Sequence, residues 1–381
     1  MKVAYMLGSL NRGGTETLLL DVFKSADKAP YEFIGIHRKG GAYKDDFYQT
    51  KPRMLQCAPK RFGLLRYLHR LRKLLKQEGV TIVHAQQSVD GIYASLATIG
   101  TDIQVVETFH GYDIEASRAD KLINSLSIRM ADAVCFVSNA QKDHYIQQYN
   151  IQKCQNKLHV VYNGVDFTKL DCEYPIPEFL TETDSAKAEI HTDHAAQQSG
   201  IRLAMVGNFV SGRSQSVICR SIQLLREQGV TDFDFYFIGR RNEKEPWRYD
   251  DCLRFCQENQ LNNVHFLGGR ADVPAILQNI DGFVYSTDHD TFGIAVVEAM
   301  AAGVPVVVND WVVMQEITQN GEWASLYESN NANDCARAIA DFIEHREDRK
   351  QKAKLIAPVV RDEYSIERHI SRLNEVYKML K

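Results

Sequence analysis

Short apolar segments recur along this chain, and each is followed by a stretch with helical spacing. The first series is Val3–Leu7, Phe33–His37, Thr81–Ala85, Val105–Phe109, Ala133–Ser138 and Leu158–Tyr162. Amphipathic stretches such as Thr15–Ser25, Leu64–Lys76 and Asn139–Gln147 fall between them. A strand-then-helix rhythm predicts a parallel sheet covered on both faces. The rhythm stops in the polar run 171–200 and restarts at Leu203–Gly207, with further strands expected at Phe235–Gly239, Val264–Leu267, Gly282–Ser286 and Val304–Val308. A closing helix is expected over Ser365–Leu380, with Ile366, Ile370, Leu373, Val376, Tyr377 and Leu380 on one face. The expected fold class is therefore α/β, with two Rossmann-like doubly wound domains. The boundaries read as 1–168 for the first domain, 169–200 for a linker or excursion, 201–363 for the second domain, and 364–381 for a helix returning to the first.

A chain of 381 residues is long for a single core, which agrees with two domains. With a net charge of −4, composition gives no reason to expect nucleic acid. The 8 cysteines are scattered without a Cys-x2-Cys pair, so reduced thiols and a cytoplasmic setting are expected. Cys252 and Cys256 read as buried helix positions. His191 and His194 flank Asp193 in the polar run, and a solvated loop fits them better than a metal site. No metal and no cofactor are expected. The N-terminus reads as a first strand and not as a leader peptide, and no segment is long and apolar enough to span a bilayer.

Five loops at predicted strand ends carry the residues suited to chemistry. The richest is Asp290-Thr-Phe-Gly-Ile-Ala-Val-Val-Glu298-Ala-Met-Ala-Ala-Gly-Val-Pro305. A strand, a glycine turn and a helix N-terminus favour a phosphate, while carboxylates suit sugar hydroxyls. Together they indicate a nucleotide-sugar. The loop Gly8–Glu16 contains Gly13 and Gly14, but neither a Gly-x-Gly-x-x-Gly fingerprint nor a P-loop. A ligand loop and a bare strand-to-helix turn both fit it. His110-Gly111 ends another strand, where an imidazole or a carbonyl could face a ligand; His84 reads as structural. In the second half, Asn208 and Arg213 lie in the loop after its first strand, and Phe266-Leu267-Gly268 ends a later strand. Arg213 suits a diphosphate, and the glycine turn suits backbone contacts with a base.

Taken in order, these motifs resemble the retaining glycosyltransferases of the GT-B fold, group 1 or family 4, whose hallmark is two acids separated by seven residues before Ala-Met-Ala-x-Gly-x-Pro-Val. Gly13-Gly14, His110-Gly111, Asn163-Gly164-Val165-Asp166, Phe266-Leu267-Gly268 and Glu316-Ile317 extend the likeness over nearly the whole chain. The resemblance implies two domains facing a central cleft. It assigns Glu298 to the ribose, Asp290 to the donor sugar, and the backbone amides of Phe292, Gly293 and Ile294 to the sugar or diphosphate. Arg213 stands in for the family's phosphate-binding Lys. Gly14 would let the first domain approach the diphosphate, and His110 would sit near the sugar. His110, Asp290 and Arg213 are the implied catalytic set. Two departures stand out. The first acid is Asp290 where the family has Glu, and Asn208 occupies the position of a usual Arg, so one cation on the leaving diphosphate is missing.

Residues Lys51–Lys76 hold nine Lys or Arg and no acid. Arg66, Arg70, Arg72 and Lys73 cover the polar face of a helix there. An ordinary solvated face and a docking surface for anionic lipid or a lipid-linked acceptor both fit. The expected activity is metal-independent, retaining transfer of a hexose-type sugar from a nucleotide-sugar, UDP before GDP, to a saccharide or lipid-linked saccharide acceptor in bacterial surface glycan synthesis. The expected location is cytoplasmic, with peripheral contact at the inner face of the membrane. The rivals are an epimerase or phosphorylase on the same fold, and a non-catalytic nucleotide-sugar-binding scaffold. The missing dinucleotide fingerprint disfavours a nicotinamide dehydrogenase.

Overall fold

A computed structural model of the chain describes residues 1–59, 63–114, 116–181 and 200–380. They form two compact units: Met1–Asp166 with the segment from Tyr364 onward, and Phe167–Glu363. His191, Asp193, His194 and most of the polar run lie outside the described residues.

The first unit is built on seven strands, β1 (Lys2–Leu7), β2 (Glu32–His37), β3 (Met54–Gln56), β4 (Ile82–Ala85), β5 (Gln104–Phe109), β6 (Ala133–Phe136) and β7 (Leu158–Val160). They pair in parallel in the order β3-β2-β1-β4-β5-β6-β7. Burial on both faces explains why these strands read as continuous apolar runs instead of alternating ones. The two-residue period of β1 still sorts its side chains. Val3, Tyr5 and Leu7 share a core with Leu18, Leu19, Val22 and Phe23 of the helix Gly14–Lys24. Ala4 and Met6 point the other way, into a core with Leu71 and Leu75 of the helix Leu64–Gln77 and with Ala94 of the helix Ser88–Thr98.

The closing helix runs Ile366–Met379 and belongs to this unit. Ser365 caps it by accepting the Arg368 backbone N–H at 3.1 Å. Its expected face is the buried one: Ile366, Ile370, Leu373, Val376 and Tyr377 join the β1 core, each contributing about 1.5–3 kcal/mol of apolar burial. The Tyr377 hydroxyl lies 2.6 Å from Nδ1 of His84 and donates to the Tyr5 hydroxyl at 3.2 Å. His84 is thus a core residue in β4, its other nitrogen 2.7 Å from the Thr108 hydroxyl.

The second unit repeats the plan with β8 (Arg202–Val206), β9 (Asp234–Ile238), β10 (Val264–Phe266), β11 (Gly282–Tyr285), β12 (Val306–Asn309) and β13 (Ser325–Tyr327), all parallel in the order β10-β9-β8-β11-β12-β13. Strands β3 and β13 were not expected. Each is three residues at a sheet edge, too short to show a period. In both sheets the chain reverses its direction of growth beside the first strand, between β1 and β4 and between β8 and β11. Ligands of doubly wound domains bind at the carboxyl ends of the strands at such a reversal.

Candidate functional site

In the second unit two loops meet at the reversal point. One follows β8 and carries Asn208 and Arg213; the other follows β11 and carries Asp290. They are tied together before any ligand arrives. Arg213 forms a short antiparallel bridge with Thr287, and the Thr287 hydroxyl donates to the Gly212 carbonyl at 2.6 Å. The fully buried Asn309, at the end of β12, clamps the second loop in both directions. Its amide oxygen accepts the Thr287 N–H at 2.9 Å, and its NH2 donates to the Thr287 carbonyl at 2.7 Å. The Trp311 indole N–H donates to the Asp290 carbonyl at 3.0 Å.

The Asp290 side chain is turned toward Arg213. Arg213 Nη2 lies 3.2 Å from Asp290 Oδ2, and the buried Tyr285 hydroxyl donates to the same oxygen at 2.8 Å. The guanidinium also sits over the Tyr285 ring, 5.4 Å from its centroid. Burial alone would lower the Arg213 pKa; Tyr285 and Asp290 outweigh it and raise the pKa, so the cation persists. For Tyr285, burial is the largest cause holding the pKa well above its ordinary value, and the phenol stays a donor. The structure therefore brings two predicted residues into one ion pair, which sequence reading had assigned to separate parts of a ligand. Arg213 also borders a cavity of about 520 Å³ shared with Gln215 and Trp247.

The glycine turn has the expected form. Gly293 takes φ 82° as the residue before the helix Ile294–Ala301, a left-handed conformation that disfavours side chains. The Val296 and Val297 N–H groups donate to the Gly293 carbonyl at 3.0 and 3.2 Å, while those of Ile294 and Ala295 form the positive end of the helix. Glu298 lies half-buried one turn in. Phe292 is buried in the core at 2 % exposure, so only its backbone can meet a ligand. Phe266 is likewise buried, while Leu267 and Gly268 are partly open and Gly268 has φ 65°.

Asn208 has a role that the sequence did not disclose. It is exposed, and its side-chain oxygen accepts the backbone N–H of Arg240 at 2.9 Å, fixing the end of β8 to the end of β9. Gly239 just before it passes so close that a Cβ would stand 2.0 Å from the Gly207 carbonyl oxygen.

In the first unit Gly13 precedes the helix Gly14–Lys24; a Cβ on Gly14 would meet nothing within 4 Å, whereas one on Gly13 would stand 2.6 Å from the Glu16 carboxylate, so the turn is open at Gly14. His110 follows β5. Its Nε2 lies 2.8 Å from the side-chain amide of Gln86. Burial, with His369 adding, pushes the His110 pKa down to about 3, so the ring is neutral near pH 7. The Gln86 NH2 is buried without a hydrogen-bond partner among the described residues. The adjacent Gly111 carbonyl accepts from Gln141 Nε2 at 2.8 Å and from the Tyr145 hydroxyl at 3.0 Å. Gln86, Gln141 and Asn309 are braces that no local pattern announced.

The basic helix is Leu64–Gln77. Arg66, Arg70 and Lys73 are exposed, and Leu65 beside them is 82 % exposed. Arg72 differs. It donates to the carbonyls of Ile99 at 2.8 Å and Gly100 at 3.5 Å, closing the end of the neighbouring helix Ser88–Thr98. It is therefore engaged within the fold, unlike Arg66, Arg70 and Lys73 on the same face. Among the described residues no group of His, Cys, Asp or Glu is placed to hold a metal, and no helix is long and apolar enough to cross a membrane.

Comparison with known proteins adds an independent line. Residues 186–355 match the family described as Glycosyl transferases group 1, and residues 12–169 match Glycosyltransferase Family 4. The chain is 24% identical over 330 residues to N-acetyl-alpha-D-glucosaminyl L-malate synthase of Bacillus anthracis, covering 81% of this chain and 77% of that one. It is 25% identical over 308 residues to the N,N'-diacetylbacillosaminyl-diphospho-undecaprenol alpha-1,3-N-acetylgalactosaminyltransferase of Campylobacter jejuni, covering 77% and 76%. Its fold is similar to that of Anabaena Alr3699/HepE solved with UDP, with a TM-score of 0.83, 18% identity and 100% of each chain covered.

Proposed function

Because the chain belongs to the group 1, family 4 glycosyltransferases, we propose that it moves a hexose-type sugar from a nucleotide-sugar, UDP-linked in preference, to a saccharide or lipid-linked saccharide in surface glycan synthesis. Transfer proceeds with retention and without a metal. The observation that carries this reading is the pairing of Arg213 with Asp290 beside the Gly293 turn, at the reversal point of the second sheet. A cation, helix N–H donors and a carboxylate suited to sugar hydroxyls at one strand end support that reading. The relatives support the substrate class: the Campylobacter enzyme's name specifies a diphospho-undecaprenol acceptor, and the Anabaena protein binds UDP.

Each group has a part in that chemistry. Departure of a nucleoside diphosphate builds negative charge, which Arg213 and the amides of Gly293 and Ile294 stabilise by being already oriented. Glu298 accepts from the ribose hydroxyls. Asp290 exchanges Arg213 for sugar hydroxyls when the donor binds, leaving the guanidinium for phosphate. The first unit takes the acceptor side, with neutral His110 as a hydrogen-bonding group and the turn open at Gly14. Arg66, Arg70 and Lys73, with Leu65, form the face that meets an anionic membrane.

The test is a panel of UDP-, GDP- and ADP-sugars, screened by thermal shift and then by nucleotide release with candidate acceptors. One donor should stabilise the protein, and Glu298→Ala should abolish that stabilisation. Equal stabilisation of both proteins would sink the ribose assignment. The prior neutralisation of Arg213 also favours a second reading, a binder without transferase activity; donor binding with no nucleotide release across acceptors would select it.

A further inference from the structure

We infer that Arg240 binds phosphate of the nucleotide, supplying from the end of β9 the positive charge that position 208 lacks; this rests on the nucleotide-sugar reading above. The argument begins with pairing. Around the carboxyl ends of β8, β9 and β10, Arg213 is held by Asp290, Arg241 by Asp250 at 2.7 and 2.6 Å, Arg248 by Glu245 at 3.0 Å, and Arg270 by Asp272 at 2.8 and 2.6 Å. Arg240 is exposed and has no carboxylate partner among the described residues. Among the described residues Arg220, on the helix Gln215–Glu227, also lacks a carboxylate partner, but Arg240 is the one placed directly at a strand end.

Its backbone is fixed with unusual care for an exposed residue. Asn208 accepts its N–H at 2.9 Å, and its carbonyl accepts the Phe209 N–H at 3.1 Å. Both contacts come from the loop that leads to Arg213. Asn208 has therefore not simply lost a charge, since it orients the residue that carries one. In the free protein the side chain rests across Gly269, on the β10 side of β9, where a Cβ would come within 2.4 Å of Arg240 Cγ and 2.7 Å of Nε. Neighbouring strands are about 4.8 Å apart, so the exposed guanidinium reaches a ligand seated on the β8 loop by turning back across the end of β9. Five N–H donors in a planar fork match phosphate oxygens.

The experiment uses the full chain and two probes, UDP and phosphate-free uridine, with affinities from calorimetry and ligand-observed NMR. Arg240→Gln should weaken UDP roughly tenfold to hundredfold, the size of a charge-assisted contact, and leave uridine binding and the melting temperature of the free protein unchanged. Arg240→Lys should recover part of the loss. Unchanged UDP affinity would overturn the inference, as would an equal loss for UDP and uridine, which would place Arg240 on the base. A wild-type protein that binds neither UDP nor uridine would overturn the uridine-nucleotide reading itself, a result distinct from a wild type that binds and a variant that binds equally well.

Discussion

Arg213 and Asp290 form an ion pair at 3.2 Å between loops that leave two adjacent strands, β8 and β11. The Tyr285 hydroxyl completes it from below. Each partner satisfies the other in the free protein, so on the proposed function a diphosphate competes with Asp290 for the guanidinium. Asp290→Asn should tighten UDP binding about twofold to fivefold, the range for a partly exposed pair worth up to ~1 kcal/mol. The same change should lower sugar transfer, because the carboxylate no longer meets the sugar. Weaker UDP binding in this variant would show that Asp290 is not a competitor.

Gly293 sets the start of the helix that carries Glu298. At φ 82° an added Cβ is strained, and it would also come within 2.7 Å of Met314 Cε. Gly293→Ala should cost about 1–2 kcal/mol of stability, seen as a lower urea midpoint with an unchanged slope. A midpoint equal to that of the wild type would remove the steric account of this glycine.

Glu107, in β5, is fully buried beneath the helices Ser88–Thr98 and Arg118–Met130, where the Ser127 hydroxyl donates to it. Burial is the main cause that lifts its pKa from 4.5 to about 7. A raised carboxyl pKa means the fold prefers the protonated form. This group is therefore least costly to the fold below pH 4.5. Its contribution falls as pH rises toward 7 and is then level, a loss of roughly 3 kcal/mol at ~1.4 kcal/mol per unit. Glu107→Gln should flatten the stability profile between pH 5 and 7. Parallel profiles for the two proteins, measured by urea melts, would count against the assignment.

For the basic helix, anionic vesicles are the direct probe. Replacing Arg66, Arg70 and Lys73 with Gln should lower partitioning roughly hundredfold, at ~1 kcal/mol for each charge near an anionic surface. Arg72→Gln should act on stability, since it loses the Ile99 and Gly100 carbonyls. Vesicle binding that survives the triple substitution would remove the membrane face.

Much of the fold was legible because parallel strands buried on both faces are largely apolar, as Val3–Leu7 and Val306–Val308 are. The Gly293 turn was legible because a left-handed residue before a helix leaves a glycine in the sequence. The three-residue strands β3 and β13 offered no such signal. Nor did the braces. Asn309 reads as an ordinary polar residue until its amide is seen to grip Thr287 on both sides. Arg72 and Arg70 are indistinguishable in sequence; only the position of the next helix gives one of them carbonyl partners.

The sequence by itself determined the alternation of strands and helices, the side of each strand that carries loops, and the identity of the acids and cations in them. Those properties depend on residues close together in the chain. The tertiary structure decided which of those charges remain available. Placing β11 beside β8 brings Asp290 to Arg213, and placing β9 on the other side brings Arg240 to Asn208. A charge acts through its neighbours over a few ångströms, and strand order alone sets who those neighbours are.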